Sequence, residues 1–474
     1  MTLTDRTDPA DIRLEKDTLM AVDTSEAAPI TETSLPAETS SPTLSEVAHA
    51  SGTTFILALF VTLSGKPCAK LVPIQAVKQL EDDGVGFAGY AAGHMGQEPK
   101  DSDLVAIADV ASFTPIPFVK PGLAIVHCDP HVEGKPWPYA PRVILKEQLR
   151  KAAELGMSVN VGAEIEYFLV NRVDGELVTA DRGDTSANPC YDARDVTRMY
   201  DHLTEISEAM NTLGWGNYAN DHEDGNGQFE QNFDYADAMT TADRVITLRY
   251  LLSVIAEKRG MQATFMPKPF TTRTGTGLHM HLSLWNDAGA VFPDADDQQG
   301  LGLSPTAYAF VAGILEHACA LQGLIAPTVN SYKRTGATAT ASGATWSPRY
   351  ATYGGNDRTH YLRVPDKNRV ELRGGDGSAN PYLAAAGAIA AGLDGVRRGL
   401  HPGKPGSGDS PSEMLPMTLL HAMDALEKDS VLTEALDAAG PGVAEYFAKT
   451  KREEFFEWHN TVSSWEIDHY LTAF

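Results

Sequence analysis

Between Thr54 and Leu63 almost every position is apolar, a run long enough for one buried strand and far short of a bilayer span. A Gly65-Lys66-Pro67 turn follows, and Ala69–Pro73 and Leu123–Cys128 have the same strand character. These segments predict a small sheet domain over residues 50–138. Helical spacing begins at Arg142–Leu155 and returns at Asp195–Leu213, Ala236–Arg259, Pro305–Leu324 and Pro381–Gly399. The last has a legible start, with Asn380 as the cap and Pro381 at the first helical position. A Pro/Gly/Ser loop covers His401 to Ser412, and two further helical stretches close the chain. Residues 139–474 therefore read as a larger mixed domain, and the whole as an α+β protein without internal repeats. Residues 1–48 are rich in Ser, Thr, Pro, Ala, Asp and Glu with little periodic apolar content, which predicts a disordered tail.

Several strand-like segments carry polar groups on one face and apolar groups on the other. Side chains alternate across a strand, so residues two apart share a face. In Gly162–Phe168 this puts Glu164 and Glu166 together, with Ala163, Ile165 and Tyr167 facing the core. Two adjacent carboxylates repel, and a bound cation relieves the repulsion. Taken alone, a solvated strand face explains the pair better. Gly277–Leu284, however, places His279, His281 and Ser283 on one face, and Arg369–Arg373 does the same with Arg369, Glu371 and Arg373. The segment His222–Glu230 adds Glu223 and Glu230 around a glycine-bearing turn. Five glutamates and one imidazole form a hard, oxygen-rich donor set that suits Mg²⁺ or Mn²⁺ better than zinc. Two such ions with converging arginines suit phosphoryl transfer.

Composition narrows the classes. The chain has 474 residues, is 43% hydrophobic and carries a formal charge of -25, enough for a large core and opposed to a nucleic-acid or anionic-membrane partner. Cys68, Cys128, Cys190 and Cys319 are scattered without a CxxC pair, and the amino terminus has acids where a signal peptide has a basic region. Both features predict a cytoplasmic protein with reduced thiols.

In this order the motifs resemble the glutamine synthetase family. The resemblance rests on Glu164 and Glu166 in a GxExE strand and on His222–Glu230 as HExGxGQxE. It continues in Lys268-Pro269-Phe270, Gly275–His281, Asn330-Ser331-Tyr332-Lys333-Arg334, Glu371-Leu372-Arg373 and Ser378–Tyr382. It runs from about Phe55 to the C-terminus. Each motif is weak alone; the conjunction is specific. The family implies a small β-grasp-like domain, a catalytic domain with a curved antiparallel sheet, and a dodecamer whose sites are shared between adjacent subunits. It implies one metal on Glu166, Glu223 and Glu230 and another on Glu164, His279 and Glu371. ATP would meet Tyr235, His281, Ser283, Arg358, Arg363 and Arg369, and glutamate would meet Gly275, Arg334 and Arg373. Arg358 and Arg373 would also act in the chemistry, in which ATP phosphorylates the γ-carboxylate of glutamate and an amine displaces the phosphate.

Two departures concern the amine. Where ammonia-using members carry an aspartate from the neighbouring subunit's small domain, this chain has Ala88, within Gly86-Phe87-Ala88-Gly89-Tyr90. The flap from Arg334 to Asn356 contains no Asp or Glu. Ammonium has donors on every side and benefits from carboxylates, whereas an alkylammonium replaces one donor with a methyl. Ala88 and the flap aromatics Trp346, Tyr350 and Tyr353 would line such a pocket better. The favoured product is γ-glutamylmethylamide, with Asp103 as the expected proton acceptor. Ammonia, a polyamine or ethanolamine are the competing amines, and a non-catalytic relative is the distant alternative.

Overall fold

The computed structural model describes residues 42–335, 347–406 and 413–474. The apolar run near the start forms the strand Phe55–Val61, and Gly65, at φ +84°, helps turn the chain back into Pro67–Pro73. Phe55–Val61 also runs parallel to Leu123–Val132, which pairs antiparallel with Leu104–Ala108, and that strand pairs with Val85–Phe87 at the edge. The hairpin, the helix Val77–Asp83 and the parallel central pair give a β-grasp arrangement. Central strands of this kind are covered on both faces. Ile56, Ala58 and Phe60 accordingly enter a small core with Leu104 and Val126, while Leu59, Val61 and Ile125 join the larger core.

The tail expected over residues 1–48 extends too far. Thr43 caps a helix, Leu44–Ala50, through a capping box with Glu46, and Leu44 and Ala48 are buried in the small core. Ser45 binds Glu81 Oε2 through both its backbone N–H and its hydroxyl, at 2.9 and 2.8 Å. Two apolar residues four apart suffice when a partner surface exists, and an averaged composition hides them. Residues 1–41 lie outside the described residues.

The second sheet has 11 strands among the described residues. Its path is Ala219–His222, Gln228–Asn232, Ser158–Val173, Leu278–Asn286, Arg369–Leu372, Leu362–Asp366 and Tyr353–Gly354, all antiparallel except the last pair. The sheet is curved, and helices cover its apolar face. The long helix Ala238–Lys258 packs on Ser158–Val173, and Pro381–Arg398 runs through the larger core. Pro381–Arg398 meets Pro305–Glu316 so closely that a Cβ on Gly395 would lie 2.6 Å from the Gly313 backbone nitrogen. No single helix among the described residues is long and apolar enough to cross a membrane.

Several helices expected as continuous are broken. Asp195–Leu213 is two helices, Ala193–Arg198 and Tyr200–Thr212, separated at Met199. Pro305–Leu324 divides at His317 into Pro305–Glu316 and Ala318–Ile325, with a bend of 76°. Ala236–Asp237 is strand, and the helix starts at Ala238 under an Asp237 cap. The chain closes with four helices where two were expected: Leu419–Leu426, Ser430–Leu436, Val443–His459 and Ser464–Tyr470. The break at His317 has a tertiary reason. His317 lies 2.7 Å from Asp429 Oδ2 and 3.1 Å from Asp394 Oδ2, bonds that a straight helix would have to accommodate.

Asn380 joins the two sheets. Its side-chain oxygen accepts from the Tyr382 N–H at 3.1 Å, and its Nδ2 donates to the Thr62 and Leu63 carbonyls at 3.0 and 3.3 Å. Asn380→Ala should cost about 2–3 kcal/mol in chemical denaturation and Asn380→Ser, which keeps the cap, about half as much. His317 gives a pH-dependent test. Burial alone would lower its pKa, but the bonds to Asp429 and Asp394 outweigh burial and raise it. Its contribution to stability is complete below its unfolded value of 6.5 and is lost as pH rises through the higher folded value. The melting-temperature gap between wild type and His317→Gln should therefore shrink from about pH 6 to about pH 9. A constant gap would count against this pairing.

Candidate active site

Strand register assembles the site in rows across the second sheet. Glu166 lies opposite Glu230, and Glu230 opposite Asp221. Two residues along, on the same face, Glu164 lies opposite His279. Two residues further, His281 faces Glu371, and Glu371 faces Arg363. A period of two along each strand therefore becomes three successive rows of polar groups. The partner residues Ala163, Ile165, Tyr167, Met280 and Leu282 point into the larger core.

Candidate ligand atoms gather in overlapping sets, each within 4.8 Å: Glu164, His279 and Glu371; Glu166, Glu230 and His279; Asp221, Glu223 and Glu230. The first is the second metal triad that the resemblance implies. In the other two, Glu230 is shared, and Asp221 enters where the sequence reading had no ligand. Asp221 and Glu223 are two apart on one extended segment, the same alternation that drew attention to Glu164 and Glu166. Applying it one residue before the HExGxGQxE motif would have found Asp221.

The electrostatics divide the carboxylates into two kinds. Burial opposes ionisation of Glu164, but His279 Nδ1 at 2.9 Å and His281 Nε2 at 2.8 Å outweigh it and hold its pKa well below the usual range. Glu371 is likewise kept low despite burial, by His279 and Arg373; Arg363 Nη1 also donates to it at 2.5 Å. Glu223 and Glu230 are pushed well up, by burial first and then by neighbouring carboxylates. Asp221 rises to about 6 for the same reasons. Carboxylates crowded together without a protein cation are the environment that a divalent ion stabilises, and the all-oxygen-plus-imidazole donors fit Mg²⁺ or Mn²⁺. Gly277 keeps the space open: a Cβ there would stand 2.7 Å from Glu166 Oε1 and 2.8 Å from His279 Nε2.

Cavities open on both sides of this cluster. One, of about 230 Å³, is lined by Glu166, Glu223, Gly275, Arg334, Arg358 and Arg373, with Cys190, Tyr191, Thr274 and Ser347. Arg334 and Arg373 are buried, and Arg334 Nη1 and Arg373 Nε have no hydrogen-bond partner among the described residues, which suits an anionic ligand. A Cβ on Gly275 would press on Arg334 and come within 2.8 Å of the Pro267 carbonyl. The other cavity, of about 420 Å³, is lined by Glu164, Tyr235, His281, Ser283 and Arg369, with Tyr218 and Trp285. Trp285 Nε1 donates to Ser283 Oγ at 3.0 Å.

The sequence reading did not single out Cys190, Tyr191, Tyr218, Thr274, Trp285 or Ser347. They carry no periodic signal, and only the fold brings them to the cavities. Of the flap aromatics, Tyr353 is a correction: it is buried, its ring packs near Tyr308, and its hydroxyl donates to the Gly403 carbonyl at 2.5 Å. Tyr350 pairs with Met414 in an isolated bridge and lines neither cavity. Trp346 lies outside the described residues. Ala88 and Asp103 are exposed and line neither cavity of their own chain. Phe87 faces Leu104 in the edge pairing, so the register carried one step on sets Ala88 beside Asp103.

Residues 138–470 match the family model of the glutamine synthetase catalytic domain. A glutamate–methylamine ligase from Methyloversatilis universalis is 42% identical over 432 residues, covering 89% of this chain and 96% of that protein. A glutamine synthetase from Rhizobium leguminosarum bv. phaseoli is 42% identical over 422 residues, 87% of this chain and 95% of that protein. A solved structure of a GmaS/ADP complex superposes with a TM-score of 0.84 at 46% identity, covering 90% of this chain and 99% of that one.

Glu230→Gln tests the electrostatic division. Glutamine keeps the carbonyl that accepts from Asn232 Nδ2 at 2.9 Å but removes one crowded charge. Turnover should fall by at least about a hundredfold, while the metal-free melting temperature stays level or rises. A fall in both would mean that Glu230 is structural.

Proposed function

The chain belongs to the glutamine synthetase family, and from that premise we propose that it joins the γ-carboxylate of glutamate to methylamine at the expense of ATP, giving γ-glutamylmethylamide, ADP and phosphate. Identity alone does not choose the amine, because a methylamine ligase and a glutamine synthetase match it equally at 42%. The observation that carries the choice is Ala88 with an acid-free stretch from Arg334 to Asn356, and the likeness to GmaS supports it.

Glu164, His279 and Glu371 would hold one Mg²⁺ or Mn²⁺ and Glu166, Glu223 and Glu230 the other; such ions neutralise phosphate oxygens as charge builds on them. Arg334 and Arg373 receive the carboxylates of glutamate, and Gly275 leaves its backbone open to the same ligand. Tyr235, His281, Ser283 and Arg369 face the nucleotide in the larger cavity. Arg363 and Arg358 bind phosphate oxygens, with Arg358 on the glutamate side. A γ-carboxylate oxygen attacks the terminal phosphorus of ATP and ADP departs. Methylamine nitrogen then attacks the acyl carbon, phosphate leaves with the C–O bonding pair, and the nitrogen gives up a proton.

Ala88 and Asp103 are exposed and away from their own chain's cavities. We assign them to the amine wall of an adjacent subunit's site in a dodecamer, with Asp103 accepting the proton. Four free cysteines and the absence of a membrane-crossing helix among the described residues support a cytoplasmic location.

An amine panel with ATP and glutamate, read by phosphate release, tests the reading. kcat/KM for methylamine should exceed that for ammonia by at least about tenfold, or roughly 1.4 kcal/mol, within the reach of one methyl in an apolar pocket. Ala88→Asp should narrow the gap. Equal or better turnover with ammonia would make the protein a glutamine synthetase, and preference for a diamine or ethanolamine would discard the pocket argument.

A further inference from the structure

Beneath the turn that carries Glu223 lies a buried pair that the chemistry above does not use. Asp184 and His222 are buried, with both side chains 0% exposed, and His222 Nε2 is 2.7 Å from Asp184 Oδ2. The other ring nitrogen, Nδ1, lies 2.7 Å from the carbonyl oxygen of Glu223. Both nitrogens face acceptors, so the ring is held from both sides. Asp184 also accepts from Asn226 Nδ2 at 2.7 Å and from the Gly227 N–H at 2.5 Å. One carboxylate therefore collects donors from both ends of the 222–227 turn. Gly227, at φ +79°, packs where a Cβ would meet Thr179 Cγ2 at 2.7 Å, so the turn has little room to move.

The same pair reaches the opposite cavity wall. The Tyr191 N–H donates to the His222 carbonyl at 2.9 Å, and Tyr191 holds φ +61°, a left-handed conformation unfavourable for an aromatic residue. Tyr191 and Cys190 follow Asp184 in one loop and line the smaller cavity with Glu223.

We propose that Asp184 and His222 form a positioning clamp that sets both the Glu223 carboxylate for a divalent cation and the Cys190–Tyr191 wall of the substrate cavity. The proposal rests on the metal-binding reading above. An interior carboxylate that collects three donors is costly to disturb, because each broken bond leaves a buried group unpaired, so the pair holds one geometry. Removing a group that orients a ligand typically weakens metal binding 10- to 100-fold without removing the ligand.

A neighbouring residue supplies the control. Asp195 lies within 4.8 Å of the same pair and is buried, but its bond goes to Arg198, not to the turn. Mn²⁺ binding to the full chain, read by the electron paramagnetic resonance signal of the free ion, should be about tenfold weaker at one of two sites in Asp184→Asn. The KM for glutamate should rise with it. Asp195→Asn should lower the melting temperature and leave Mn²⁺ affinity unchanged. If Asp184→Asn does not fold, Asn226→Ala, which removes one donor and keeps the buried pair, should show a several-fold loss of Mn²⁺ affinity. Unchanged Mn²⁺ affinity in the turn variants, with only lower stability, would reduce the pair to a structural role. Failure of the wild-type chain to bind Mn²⁺ would instead overturn the metal-binding reading itself.

Discussion

Carboxylates crowded on one face of a sheet dominate the energetics of this protein. Glu164, Glu166, Asp221, Glu223, Glu230 and Glu371 converge over a few ångströms, and burial opposes the charge of Glu164, Asp221, Glu223, Glu230 and Glu371. The protein compensates only one side. His279 and His281 hold Glu164 ionised, and Arg363 and Arg373 contact Glu371. Among the described residues no Lys, Arg or His side chain forms an ion pair with Glu223, Glu230 or Asp221, and their pKa values rise. A metal-binding site must be unsatisfied in its own right. The Glu223–Glu230 side meets that condition most clearly, and the Glu164–Glu371 side shares its charge with His279, His281, Arg363 and Arg373.

Such a cluster requires a rigid frame, since like charges would otherwise separate. Five neighbouring strands, from Ala219–His222 to Arg369–Leu372, supply it through register: a slip of one residue in any of them would turn its polar face toward the core and its core residues toward the cavity. Tyr167, Met280 and Leu282 on the reverse face oppose such a slip by their burial. The turn at 222–227 has fewer such pairings: His222 faces Phe229, and the Glu223 N–H bonds the Gln228 carbonyl at 2.9 Å. There a buried side-chain network around Asp184 adds to the backbone pairing.

Amine selection has a different physical origin from phosphoryl transfer. The ligand cluster and substrate arginines are the same requirement whatever nucleophile follows, which agrees with equal identity to relatives of two activities. The role proposed for Ala88 turns on one carboxylate more or less beside a single methyl. Ala88 and Asp103 lie next to the edge pairing of Phe87 with Leu104, exposed on the small sheet.

Alternation along single strands was legible in the amino-acid sequence, because the direction of a side chain in a strand follows from local backbone geometry. Glu164 with Glu166, and His279 with His281 and Ser283, could therefore be grouped by face, as could the cap at Asn380 from its own neighbours. The grouping of ligands across strands was not legible. Glu230 shared between two sets and Asp221 beside it depend on register between segments distant in the chain. The same holds for the break at His317, the burial of Tyr353 and the helix at Leu44–Ala50, each decided by a partner surface absent from local sequence. What the sequence alone determined was which chemistry each strand could offer. Only the tertiary structure decided which of those groups meet, because that depends on long-range pairing and on the charge each group meets there.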